Sequence, residues 1–240
     1  MKRILLSWSS GKDSAWSLHI LRQSAQYEVA GLLTTFNQAA ARVAMHAVRQ
    51  ELVEEQASAT GLPLWAVQLP WPCPNDAYET LMSQTCAKAV AAGIEGIAFG
   101  DLFLEDVRAY REKQMKNTGL EPLFPLWGMP TCELAREMIA NRMRAKLTCV
   151  DTRKLDASFA GREFDADLLH DLPDGVDPCG ERGEFHSFVY AGPMLSREIH
   201  VSNGETVIRD HFVFADLIAP SADPAKHSTH KKDVQQDRDQ

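Results

Sequence analysis

The run Ser9-Ser10-Gly11-Lys12-Asp13-Ser14 follows the apolar segment Ile4-Leu5-Leu6 and leads into a stretch with helical spacing. A strand that turns through serine and glycine into a helix has the form of an anion site. Small residues let backbone N–H groups approach a phosphate, the Ser9 and Ser14 hydroxyls can donate to its oxygens, and the helix N-terminus adds positive potential. Two common phosphate motifs are absent. A Walker A loop requires G-x-x-x-x-G-K-[ST], whereas Lys12 is followed by Asp13 and no glycine stands at the required place before Gly11. There is also no G-x-G-x-x-G for a dinucleotide. A capped turn with no ligand is the plain alternative.

Three further groups have chemical potential. Gly100-Asp101 follows the apolar run Gly96 to Phe99, where Asp101 could hold Mg²⁺, a ribose or a substrate amine, or simply cap the next helix. Arg108 and Arg111 lie three apart on that helix and could grip phosphate or carboxylate together, or belong to a solvated face. In Cys179-Gly180-Glu181-Arg182-Gly183-Glu184-Phe185-His186-Ser187, glycines, carboxylates and a histidine precede a strand. Glu184 and His186 alternate to one side if that strand begins early, giving an acid/base pair; a surface turn is the alternative.

The elements that would position these groups follow from hydrophobic patterning. Short apolar runs at Ile4 to Ser7, Val29 to Thr34, Leu64 to Leu69 and Gly96 to Phe99 alternate with helical segments at Asp13 to Gln23, Val43 to Thr60, Asp76 to Ala92 and Leu104 to Asn117. Alternation of this kind predicts βαβ units, an α/β fold with a Rossmann-like parallel sheet and ligands at the carboxyl ends of its strands. Beyond Pro130 the pattern changes. A helix over Thr131 to Arg144, capped by Thr131, precedes a strand at Ala145 to Asp151. Four short strands follow, at His186 to Tyr190, Glu198 to Val201, Thr206 to Arg209 and Phe212 to Phe214, with a turn at Asn203-Gly204. The expected organisation is a first domain over residues 1–128, a smaller α+β domain over 129–219 and a disordered tail over 220–240. His227 and His230 in that tail read as solvated residues rather than a metal pair.

Composition narrows the class. The net charge is −8, and Asp151 to Glu184 alone holds ten acidic against four basic residues, a poor match to nucleic acid. Five cysteines without a C-x-x-C pair indicate neither a disulfide framework nor a zinc knuckle, which fits a reducing cytoplasm. No apolar stretch approaches the length of a membrane span. The oligomeric state is left open.

Ser9 to Ser14 resembles the S-G-G-x-D-S pyrophosphate loop of ATP pyrophosphatases, matching five of six positions. Ser10 replaces the first glycine, and its Cβ implies an ordinary backbone φ there. Taken with Met45-His46, Gly100-Asp101, Arg108, Arg111, Glu121-Pro122-Leu123, Pro125-Leu126-Trp127 and Gly180-Glu181-x-Gly183-Glu184-Phe185-His186-Ser187, the chain resembles the diphthine-ammonia ligase family, as a bacterial-type member. This resemblance implies an adenine-nucleotide α-hydrolase-like domain and a C-terminal domain closing a substrate cleft. It implies an enzyme in which a carboxylate attacks ATP, pyrophosphate leaves and ammonia displaces AMP to form an amide. ATP and Mg²⁺ would be the cofactors, and the carboxylate acceptor is unidentified. On this reading Ser9, Ser10, Gly11, Asp13, Ser14, His46 and Gly100 hold nucleotide, Asp13 also serves Mg²⁺, and Lys12, Asp13, Glu184 and His186 are catalytic. Asp101, Arg108, Arg111, Gly180, Glu181, Gly183 and Glu184 face the acceptor. A tRNA-modifying enzyme of the same superfamily and a non-catalytic ATP or AMP sensor are the rival readings.

Overall fold

The structure, a computed structural model, describes residues 1–43 and 48–219. The readings placed on Met45, His46, the two tail histidines and the 220–240 tail lie outside the described residues.

The first sheet forms around β1 (Lys2–Ser7). Ile4 and Leu6 turn to one face and Leu5 to the other, and all three are fully buried, as a central strand covered on both sides requires. The Lys12–Gln23 helix (α1) returns the chain to β2 (Tyr27–Asn37), which pairs parallel with β1. A short antiparallel strand, β3 (Arg42–Val43), then folds back on the end of β2. The helix predicted from Val43 therefore begins later: Val43 is in β3, and α2 spans Gln50–Thr60. It ends where expected, with Gly61 at φ 71° and the Leu62 N–H donating to Ala57 O, a turn that an L side chain would strain.

β4 (Leu64–Leu69) adds parallel to β2, and α3 (Asn75–Ala91) leads to β5 (Gly96–Ala98) on the opposite side of β1. Helix α4 (Glu105–Met115) connects to β6 (Glu121–Leu123), a parallel strand that the Pro122-containing sequence did not suggest. The strand order reverses between β1 and β5, and such a switch point leaves a crevice at the carboxyl ends of the two strands. The expected α/β fold with a Rossmann-like parallel sheet is present.

Helix α5 spans Thr131–Ala140 with Pro130, not Thr131, at the N-cap. The Thr131 hydroxyl is engaged elsewhere, donating to Asp177 Oδ2 at 2.7 Å. A second, antiparallel sheet has the order β8 (Phe185–Ala191), β7 (Arg144–Asp151), β10 (Phe212–Ile218), β9 (Ser202–Arg209). The acidic stretch between β7 and β8 carries helix α6 (Ala166–Asp171), its N-cap Asp165 accepting from Leu168 N. Two expectations fail in this sheet. Glu198 to Val201 is not a strand, although Ile199 N donates to Tyr190 O, and Asn203-Gly204 lies inside β9. The hairpin turns instead at Asp210-His211, with Asp210 at φ 52°.

One apolar cluster packs Ile4, Leu6 and Trp16 together with Leu52, Leu147 and Phe188, so the second sheet shares its core with α1 and α2. A separate cluster on the far face packs Leu5, Leu33 and Ile97 under α3 and α4. Burial on this scale contributes about 2 kcal/mol for each large apolar side chain.

Candidate active site

Two adjoining cavities open at the switch point. The smaller, about 210 Å³, is lined by the phosphate-type loop, by Gly100 and Asp101 after β5, and by the loop before β8. The larger, about 790 Å³, runs between the ends of β1 and β2 and helices α3 and α4, past Leu33, Tyr78, Met82 and Met115. Both share Ser7, Ser9, Phe99 and Arg111. The smaller compartment is thus rich in charged and hydroxyl groups and the larger has a mixed lining, with a common mouth.

In the smaller cavity, the loop is shaped from both sides. Ser9 and Ser14 hydroxyls are 3.2 Å apart, and Ser14 Oγ donates to Gly11 O. Gly11 is the N-cap of α1, and a Cβ there would stand 3.2 Å from Ser187 O. Gly100 is tighter still: a Cβ would lie 3.0 Å from the Asp13 carbonyl carbon, so β5 approaches the first turn of α1 only because that position has no side chain. Ser10 departs from expectation. Its φ is 70°, in the left-handed region favoured by glycine, and not the ordinary value its Cβ implied. The surroundings hold it there: Ser10 is fully buried, and its carbonyl accepts from Val189 N of β8 and from Gln56 Nε2 of α2.

Gln56 is a residue that the sequence reading missed. Fully buried, it accepts from Trp8 Nε1 at 2.8 Å and donates to both Ser10 O and Val189 O, so its amide ties β1, the loop and β8 together. A lone glutamine in a helix carries no motif, although its place among the apolar positions Leu52, Val53 and Ala57 marks the buried face.

Lys12 turns inward. Its ammonium contacts the Asp13 carboxylate at 2.8 Å and the Cys179 carbonyl, and it sits over the rings of Phe185 and Phe164. Burial opposes its charge, but Asp13 and Glu181 outweigh that and hold its pKa above the ordinary lysine value. The Lys12 backbone N–H donates to Ser187 Oγ. Cys179 is a buried thiol, its pKa raised by the same desolvation, which makes it inert packing.

The carboxylates separate into two kinds. Glu181 lines the cavity, accepts from Leu102 N at 2.8 Å, and is pushed up to about 7 by burial, with the charges of Asp13 and Asp101 adding to the effect. Glu184, expected to face the acceptor, is not among the lining residues. It is buried and accepts from Asp177 N. Asp177 in turn accepts from Cys179 N and Glu181 N, a buried brace within a loop that otherwise reads only as acidic. His186 does line the cavity, and burial, with Lys12 adding, pulls it down to about 4.

Asp101 is not the helix cap, a place taken by Leu104. Its Oδ2 is ion-paired with Arg111 Nε at 3.5 Å, without hydrogen-bond geometry, so both buried atoms lack a hydrogen bond. Burial raises the Asp101 pKa, with Arg111 opposing. Arg111 lies over the Phe99 ring where the two cavities meet. Arg108 points elsewhere, pairing with Glu112 and stacking on Phe124 and Trp127. The sequence-predicted Ser9, Gly11, Lys12, Asp13, Ser14, Gly100, Asp101, Arg111, Gly180, Glu181, Gly183 and His186 are thus brought to one cavity, and Ser10, Arg108 and Glu184 are not among its lining.

Comparison with known proteins finds two matches in one family. Residues 1–122 match the diphthamide synthase N-terminal domain, and residues 130–217 match the diphthamide synthase C-terminal domain. The chain belongs to the diphthamide synthase family. It is similar to the diphthine–ammonia ligase of Homo sapiens, 31% identical over 155 residues, which are 62% of this chain and 57% of that relative. The diphthine–ammonia ligase of Rattus norvegicus is 32% identical over the same share. That of Danio rerio is 27% identical over 239 residues, covering 87% of this chain and 90% of that relative. The chain thus spans somewhat over half the length of the mammalian members of the diphthamide synthase family that it matches.

Proposed function

We propose that the protein is an ATP-dependent amide-forming ligase that adenylates a carboxylate and transfers ammonia to it. The observation that carries this reading is the paired cavity: a small compartment built on the loop, joined at Ser9, Phe99 and Arg111 to a larger one that sets Leu33, Met82, Ile97 and Met115 beside polar groups such as Thr35, Glu79 and Gln114. A nucleotide has the same two ends. The β and γ phosphates would lie against Ser9, Gly11, Asp13 and Ser14 at the start of α1, with adenosine in the larger cavity. Lys12 lends positive potential from beneath without touching solvent.

The residues present suit Mg²⁺. Asp13 and Asp101, whose Oδ2 faces Arg111 without a hydrogen bond, are hard oxygen donors on the cavity wall. Among the described residues no three ligating side chains gather, so phosphate oxygens and water would complete the shell. When bound, the ion would neutralise phosphate charge. Arg111, at the common mouth, would orient the incoming carboxylate and offset charge at the α phosphate.

In the first step a substrate carboxylate oxygen attacks the α phosphorus, the bond to the bridging oxygen breaks and pyrophosphate leaves. In the second, ammonia attacks the acyl carbon, the acyl–phosphate C–O bond breaks, AMP departs and nitrogen gives up a proton. Glu181 or neutral His186, both lining the smaller cavity, would accept it. Glu184 supports the Asp177 brace in this scheme. The acceptor and any partner protein are left to experiment; in the family relatives the printed activity is diphthine–ammonia ligation.

The test is product analysis with Mg-ATP, ammonium and pooled carboxylates. Pyrophosphate with AMP is expected, and Asp13→Asn is expected to lower it by about a hundredfold or more at unchanged secondary structure. ADP with phosphate, or full turnover in Asp13→Asn, would overturn the proposal. Tight ATP binding with no turnover under any acceptor would favour a sensor.

A further inference from the structure

Strand β9 is the outer strand of the second sheet, and every one of its eight residues is exposed. Among the described residues no strand covers its free edge. Natural sheets guard such edges with charged residues, proline, bulges or very short strands; β9 has no lysine or proline, its irregular pairing with β10 lies at the Asn203 end, and its charges are Glu205 and Arg209. Its inner face adds a second observation. Val213, Ala215 and Leu217 of β10 are buried, and cross-strand partners share a face, so Ile208 and Thr206, opposite Val213 and Ala215, lie on the core-facing side. Yet Ile208 is 71% exposed. An apolar side chain on the inner face projects past the end of the core.

We infer that β9 pairs antiparallel, about Val207, with β9 of a second copy of this chain. The two-residue turn makes Arg209 and Phe212 the hydrogen-bonded pair that closes the hairpin, so alternation turns the backbone N–H and C=O of Thr206 and Ile208 outward. Pairing centred on Val207 sets Thr206 against Ile208 of the second copy, and these outward groups satisfy one another. The same register sets Glu205 opposite Arg209 at both ends, two symmetric ion pairs. Sliding by two residues in either direction leaves one of these charges facing Val207 and loses both pairs. Charges that would deter indiscriminate pairing therefore select one partner and one register. The pairing also carries the core-facing surface of the sheet across the two copies and covers Ile208. None of Glu205 to Arg209 lines either cavity.

Sedimentation velocity on the full chain over about 1–100 μM tests the idea. A concentration-dependent monomer–dimer equilibrium is expected. Glu205→Arg or Arg209→Glu alone sets like charges opposite one another and should weaken the dimer about tenfold, while the double reversal restores it. Ile208→Pro removes an outward N–H and should abolish the dimer while circular dichroism stays unchanged. A monomer across the whole range overturns the inference, whether water or another part of the chain occupies the edge. A dimer indifferent to the single reversals, or a double reversal no better than either single, overturns it equally. All these readouts are independent of ATP turnover.

Discussion

Two loops meet at Lys12, and they reach left-handed backbone in different ways. In the Ser9–Ser14 loop the residue at φ 70° is Ser10, held by hydrogen bonds from Val189 and Gln56 to its carbonyl. In the loop before β8 the residues at φ 67° and 81° are Gly180 and Gly183. The first loop is forced into shape by its neighbours; the second is permitted its shape by composition. A Cβ at Gly180 would stand 2.9 Å from Phe185 O, so that glycine is also required by space, whereas one at Gly183 would meet nothing closer than Lys154 Nζ at 3.7 Å. Backbone strain can thus sit beside a phosphate-type site if a buried side chain opposes it.

Substitutions sharpen this contrast. Gly180→Ala combines positive φ with a contact to backbone and should cost about 3 kcal/mol in urea unfolding, with Gly183→Ala costing about half as much. Equal losses would break the distinction between space and conformation. Gln56→Leu strips Trp8 Nε1 of its buried acceptor and Ser10 O of one of its two donors, and should cost about 2 kcal/mol. It should also raise the KM for ATP as the loop relaxes; a stability loss with unchanged KM would make Gln56 packing only.

The second loop also has a pH signature. Glu181, raised to about 7 from 4.5, favours the folded state in its protonated form, so its contribution is full below pH 4.5 and is lost as pH rises through 7. His186, lowered to about 4 from 6.5, acts in the opposite sense: its contribution is present above pH 6.5 and lost as pH falls through 4. The two slopes oppose each other between pH 4.5 and 6.5. Glu181→Gln should make stability rise with pH across that window, and His186→Gln should make it fall, as read by melting temperature in matched buffers. Parallel behaviour of the two variants would contradict these assignments. The smallest effect is expected at Ser10: Ser10→Gly removes the left-handed penalty but loosens the unfolded chain, for a net gain of about 0.5 kcal/mol.

The legible part of this molecule was whatever rests on local pattern. The β1 loop, the parallel strands β1, β2, β4 and β5 and the end of α2 at Gly61 follow from spacing and turn chemistry alone. What escaped depends on distant partners. Ser10 takes a positive φ because Val189 and Gln56 grip its carbonyl from elements 179 and 46 residues away. Glu181 and Glu184 look equivalent in sequence, and only the fold around Asp177 decides which faces the cavity. Val43 fits a helical pattern, yet pairing with Phe36 at the end of β2 draws it into a strand. The turn chemistry of Asn203-Gly204 was real, but Asp210 sits at the reversal that β10 dictates.

The grip on Ser10 has a consequence for motion. Val189 N holds Ser10 O, Ser187 Oγ holds Lys12 N, and Lys12 Nζ reaches Cys179 O, all across the seam between the first loop and the strand and loop of the second sheet. The two sheets also share one apolar core. A clamshell hinge along this seam would have to break the floor of the site at every cycle. On the proposed function, ligands would reach a floor that is already built, and gating would fall to the rim, where side chains can swing without unmaking the Ser9–Ser14 loop.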